Sequence, residues 1–122
     1  MAKAVGIGGL FFRSRDPATL ADWYARNLGI DLKAGGGVWT QDAGPTVFAP
    51  FPADSTYFAA DKSWMINLRV DDLAALIEQL RGSGLAVETR AEWDGDGSYG
   101  RFARLLDPED NPIELWQPPA DQ

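Results

Sequence analysis

The fold of this chain turns on Asp107-Pro108-Glu109-Asp110-Asn111-Pro112-Ile113-Glu114-Leu115. Four of the first five residues in this stretch are turn formers, because Asp and Asn bond nearby backbone and Pro fixes φ, so a tight hairpin is expected. The turn joins a strand at Gly100–Leu106 to another at Pro112–Trp116. Alternation along the second strand puts Glu114 and Trp116 on one face and Ile113 and Leu115 on the other. One side of the hairpin is therefore core, and the other carries polar chemistry.

Upstream, Trp64–Val70 reads as a strand with Met65, Asn67 and Arg69 on one face and Ile66, Leu68 and Val70 toward a helix-covered core. Asp71-Asp72 opens a helix, where capping and the macrodipole account for both acids. Leu73, Leu76, Ile77 and Leu80 form its apolar stripe, Gly82 and Gly84 end it, and Ala86–Arg90 is a further strand. The first half repeats this order. Ala4–Arg13 is a strand, and Asp16-Pro17 supplies an N-cap and a first-turn proline. Leu20, Trp23, Tyr24 and Leu28 then make one helical face, with Trp23 and Tyr24 read as core or interface. Gly29 is placed to close the helix in the left-handed conformation, and short strands follow at Ile30–Ala34, Gly37–Thr40 and Pro45–Ala49. Between the halves, Pro50 to Ala60 is a connector too broken by proline for a central strand, with aromatics that pack. Superposing Asp16 on Asp72 places Arg13 on Arg69 and Gly9 on Met65.

A length of 122 residues implies one domain, and a 45% hydrophobic content is enough for a real core. Eighteen acids against eleven bases give a net charge of −7, which speaks against nucleic acid or an anionic membrane as partner. The absence of cysteine excludes disulfide frameworks, thiolate nucleophiles and zinc ribbons. The absence of histidine excludes the Ser-His-Asp triad, HExxH zinc sites and the 2-His-1-carboxylate iron site. No apolar run approaches the ~20 residues of a membrane span. The opening MAKAVGIGG lacks a signal-peptide core, so a cytoplasmic location is expected.

Asp16-Pro17…Trp23-Tyr24…Leu28-Gly29, Val70-Asp71-Asp72-Leu73 and the 107–115 stretch together resemble the vicinal oxygen chelate superfamily. That superfamily includes glyoxalase I, fosfomycin- and bleomycin-resistance proteins and extradiol dioxygenases. The 107–115 stretch is similar to its D-P-x-G-N-x-I-E-L signature, with Asp110 where glycine is usual. Asp tolerates a left-handed turn position better than most residues. The resemblance implies an α+β fold of two βαβββ modules, whose mixed sheets form an open cup-shaped barrel with helices outside. On this chain it implies one domain over 1–122, with module 1 at 4–50, a connector at 51–62 and module 2 at 63–118. It further implies a divalent metal held by a first-strand His or Gln, a second-module His and the signature Glu. Only Glu114 matches, because Gly9 and Met65 occupy the other two positions. No tightly held cofactor is therefore expected, the alternative being a weakly bound divalent metal through Glu114.

In such a cup, Phe11 and Arg13 from the first strand face Asn67, Arg69, Glu114 and Trp116, while Trp39, Phe48, Tyr99 and Phe102 supply further walls. Aromatic walls with a few convergent polar groups suit a small-molecule site. Arg13 and Arg69 can clamp a carboxylate or phosphonate, and Glu114 can act as a base or accept a hydrogen bond. The plainer alternative is that Glu114 simply pairs with Arg69 or Arg13 inside a closed barrel. The expected function is binding of a small anionic or oxygen-rich molecule. One alternative is a lyase-, isomerase- or dioxygenase-like enzyme using Glu114 as base or metal ligand; another is a structural homodimer with a vestigial cup. A homodimer is expected on family grounds. Trp93 to Ser98 superficially suggests a calcium loop, but Tyr99 and Leu105 stand where Gly and Glu are required, so a flexible loop is expected. Gly35-Gly36-Gly37 reads as a turn.

Overall fold

The turn at 107–111 organises the structure, a computed structural model that describes residues 1–33 and 35–120. Asp107 N–H donates to the Asn111 carbonyl at 3.1 Å, and Asp110 N–H donates to the Asp107 carbonyl at 2.9 Å. This closure sets β2 (Arg101–Leu106) antiparallel to β3 (Pro112–Gln117), with Leu106 opposite Pro112 and Arg104 opposite Glu114. β1 (Ile66–Arg69) lies parallel along the other edge of β3, with Asn67 level with Glu114. The order is β1-β3-β2, so the signature strand is the middle one. Asp110 has a φ of 64°, the left-handed geometry expected there. Asp110→Gly is expected to raise stability by about 0.5 kcal/mol in urea unfolding, because removing Cβ relieves more strain than the added chain entropy costs. A loss of stability would instead show that the aspartate side chain holds the turn.

Ile113, Leu115, Leu105, Ala103 and Leu68 form the buried face of the sheet and cluster with both long helices. α1 (Pro17–Leu28) contributes Leu20, Trp23 and Tyr24, and α2 (Leu73–Gly82) contributes Leu73 and Leu80, as the apolar stripes predict. Their ends form for the expected reasons. Asp16 accepts the Thr19 N–H and Asp72 the Ala75 N–H, each satisfying an amide that the helix leaves unpaired. Gly29 closes α1 at φ 73°. The Leu73 N–H donates to Gln117 Oε1 at 2.8 Å, which ties the start of α2 to the end of β3.

The turn also holds the first half of the chain. Buried Asp107 accepts from Tyr24 Oη at 2.6 Å, from Asn111 Nδ2 at 2.8 Å, and from the N–H groups of Glu109 and Asn111 at 2.8 and 3.0 Å. Glu109 accepts from Ser14 Oγ at 2.6 Å and from the Arg15 N–H at 2.7 Å. The Phe12 ring packs edge-on against Tyr24 and Trp64.

The strands expected at 4–13, 37–40 and 45–49 join no ladder among the described residues, and neither do residues 30–33. Ala34, the end of that last expected strand, lies outside the described residues. Ala86–Arg90 contributes only one bridge, Glu88 to Arg104. Composition and alternation make a segment able to pair, but a strand exists only where a neighbour satisfies its backbone. Val5, Phe11, Val47 and Phe48 are correspondingly exposed. The described sheet is thus built from the second half, and the first half contributes α1. Gly35–Gly37 is a turn as expected. The loop expected from Trp93 instead starts inside α3 (Ala91–Asp94), and the Asp94 carboxylate accepts the Phe102 N–H at 3.0 Å. Among the described residues, no helix is long and apolar enough to cross a membrane.

Candidate functional site

A middle strand has cross-strand neighbours on both sides, and this places Glu114. Asn67 lies beside it on β1 and Arg104 on β2, giving one polar row across three strands. Glu114 is buried, only 5% exposed. Oε1 accepts from Asn67 Nδ2 at 2.7 Å, and Oε2 accepts from Tyr57 Oη at 2.6 Å. Arg104 Nε stands 3.8 Å from Oε2. A buried carboxylate with two donors and a nearby cation is compensated in the way that burial of charge requires.

Arg104 is itself held by aromatic rings and one carbonyl. Its guanidinium carbon lies 4.0 Å from the Tyr57 ring centroid and 4.8 Å from that of Trp93. Nη1 donates to the Tyr57 carbonyl. Nε and Nη2 are buried and have no hydrogen-bond acceptor. Burial raises the Tyr57 phenol above its ordinary value of 10.0; its hydrogen bond to Glu114 adds to that rise, and Arg104 opposes it. At neutral pH Tyr57 is therefore a donor to the carboxylate.

Arg104 borders two hollows. One, of about 690 Å³, has apolar walls that include Phe58, Met65 and Ile113, and Lys62, Arg81, Glu88 and Arg104 are among its charged lining residues. The other, of about 440 Å³, runs along connector residues 53–60. The connector thus packs its aromatics as expected, with the Phe51 ring 5.4 Å from Tyr57 and 5.7 Å from Phe58.

The other sequence candidates fall into groups. Phe102 and Trp116 stack at 6.4 Å in the row next to Glu114, and Trp116 Nε1 donates to the Tyr99 carbonyl at 2.7 Å. The Tyr99 ring is exposed, as are Phe11, Phe48 and Trp39. Arg69 shares the Trp116 row but directs Nη2 to the Asp42 carbonyl at 3.0 Å, and Arg13 is exposed. The ion-pair alternative gives Glu114 Arg69 or Arg13 as its partner, yet the arginine beside the carboxylate is Arg104. Counting across the 107–111 turn from Leu106 opposite Pro112 reaches Arg104 opposite Glu114, so the sequence held that signal. Tyr57 left no such trace, because an irregular connector has no register to count.

The residues present do not make a site for a divalent ion of the kind the family uses. Gly9 offers no side chain and Met65 only a soft thioether. Both Glu114 oxygens already accept hydrogen bonds, and Arg104 puts a positive charge beside them. Among the described residues, no three His, Cys, Asp or Glu side chains group to hold a metal ion.

Residues 9–116 match the glyoxalase-like domain family. No curated protein matches the sequence. Among solved structures, the chain is similar to TnmS3, described as an antibiotic binding protein from Streptomyces sp. CB03234. The two are 25% identical with a TM-score of 0.54, over 97% of this chain and 100% of that one.

Proposed function

The chain belongs to the glyoxalase-like domain family, within the vicinal oxygen chelate superfamily, and from that premise we propose that it binds a small, oxygen-rich molecule without a tightly held metal. The observation that carries this reading is Arg104, ion-paired with the buried Glu114, at the edge of a largely apolar hollow of about 690 Å³. Apolar walls take up the body of a ligand, and a few fixed polar groups orient it. The antibiotic-binding description of TnmS3 supports the same class of function. Binding is favoured over proton transfer because both carboxylate oxygens are already engaged by protein donors.

The test is calorimetric titration with 2-naphthoate and 2-naphthylmethanol, two flat apolar probes that carry an oxygen group. Saturable one-site binding is expected. Leu106→Trp, at an exposed wall of the hollow, is expected to weaken it about tenfold by occupying the space without opening the core. If the wild type binds neither probe, or Leu106→Trp binds as well as wild type, the hollow is not the site. Elemental mass spectrometry of untagged protein is expected to find far less than one divalent ion per chain. Near-stoichiometric metal that disappears in Glu114→Gln would overturn the metal-free part of the reading.

The exposed Val5, Ile7, Phe11, Val47 and Phe48 of the first half suit a second copy of the chain. In this reading the first-half strands pair on association and complete the cup. Sedimentation equilibrium is expected to give a dimer that Phe11→Ser with Phe48→Ser weakens; a monomer for the wild type would remove this part.

A further inference from the structure

We propose that Arg104 is the ligand-recognising residue, its Nε/Nη2 edge taking both oxygens of a carboxylate or of a comparable pair of adjacent oxygens. This rests on the binding reading above and names the ligand class for it.

A guanidinium has distinct edges. In Arg104 the third nitrogen, Nη1, is committed to the Tyr57 carbonyl. Nε and Nη2 lie on the side away from it, and their N–H bonds run parallel, the spacing that matches two oxygens on one carbon or phosphorus. Both are buried without an acceptor. A buried donor left unpaired is costly, so among the described residues this edge is an unmet hydrogen-bonding demand on the polar face. Glu114 does not meet it, because 3.8 Å from Nε is ion-pair range and beyond a hydrogen bond. Glu114 is instead saturated by Tyr57 and Asn67, which leaves the guanidinium edge free for something else.

The surroundings fit this role. The faces of the guanidinium pack on Tyr57 and Trp93, which fix its plane and so reduce the entropy lost when a ligand forms both bonds. The neighbouring acid across the bridge, Glu88, is paired with Arg90 at 2.7 Å and does not compete. Arg104 borders both hollows, so a ligand body in the larger one brings its oxygens to this side chain. Tyr57 sits on the irregular connector, outside the ladder, so a ligand that displaces its ring to reach this edge breaks the Tyr57–Glu114 hydrogen bond but no strand pairing.

The experiment compares 2-naphthoate, which has two oxygens on one carbon, with 2-naphthylmethanol, which has one, on wild type, Arg104→Lys and Arg104→Gln. Circular dichroism confirms folding, and the titrations are run below every variant's melting midpoint. The wild type is expected to prefer the carboxylate by about tenfold or more, the scale of one added charge-assisted bond. Arg104→Lys keeps the charge but lacks the fork, so its preference is expected to fall several-fold, and Arg104→Gln is expected to lose it. The alcohol's affinity should fall by a smaller factor than the carboxylate's in both variants. A purely structural Arg104 would move both probes together, so an unchanged carboxylate-to-alcohol ratio in Arg104→Gln overturns this proposal while leaving the binding reading intact. Absence of binding by either probe to wild type overturns both.

Discussion

Asp107→Ala is expected to cost about 3–4 kcal/mol of unfolding free energy, the largest loss from any polar substitution in this chain. The carboxylate is 3% exposed and takes four hydrogen bonds, two from backbone amides of the turn and one each from Tyr24 and Asn111. Alanine leaves the Tyr24 hydroxyl buried with no acceptor and strips the Glu109 and Asn111 amides of the carboxylate that braces the turn, while its backbone closure remains. The same contact has a pH signature. Burial raises the Tyr24 phenol well above its ordinary value of 10.0, with the Asp107 hydrogen bond and charge adding to the rise. A group whose pKa is raised by folding contributes stability that is full below the unfolded value and lost as pH climbs through the folded one. Wild type is therefore expected to lose stability on going above pH 10.0, and Tyr24→Phe to lose less over the same interval, apart from its own fixed cost. Urea unfolding across that range checks both. A cost under about 1 kcal/mol for Asp107→Ala would mean that the turn closes without its side chain.

Glu114→Ala is the second large effect, expected at about 2–4 kcal/mol. It strips Arg104 of its counter-charge and leaves Asn67 and Tyr57 without their acceptor. The value sits below the full cost of breaking a buried pair, because a fifth of the Arg104 side chain reaches solvent. The double variant Glu114→Ala/Arg104→Met is expected to be more stable than Glu114→Ala alone, since a stranded buried cation is costlier than an apolar side chain of similar length. A double-mutant cycle by urea unfolding measures this. Strictly additive losses would show that the two groups do not interact at 3.8 Å.

Local features were legible in the sequence wherever a single residue's chemistry decides the backbone. Asp16, Asp72, Gly29 and Asp110 all occupy the cap and left-handed positions read for them. The helical stripes and the alternation of Ile113, Glu114 and Leu115 were legible too, because burial periodicity follows directly from 3.6 and 2 residues per repeat. The part of the site that lies on strands was half visible. Glu114 and Asn67 were found from their faces, whereas Arg104 required carrying the hairpin count across to the facing strand.

Adjacent residues thus commit the chain locally: where helices begin and end, how the 107–111 turn bends, and which face of each strand is apolar. These depend on interactions spanning a few residues, and those are written in adjacent letters. Long-range packing, by contrast, sets β1 parallel beside β3, leaves the first-half segments out of the described sheet, and brings Tyr57 to Glu114 from 57 positions away. Those outcomes come from competition among distant partners for the same backbone edge and the same carboxylate. Nothing in the pattern of one segment records which partner wins.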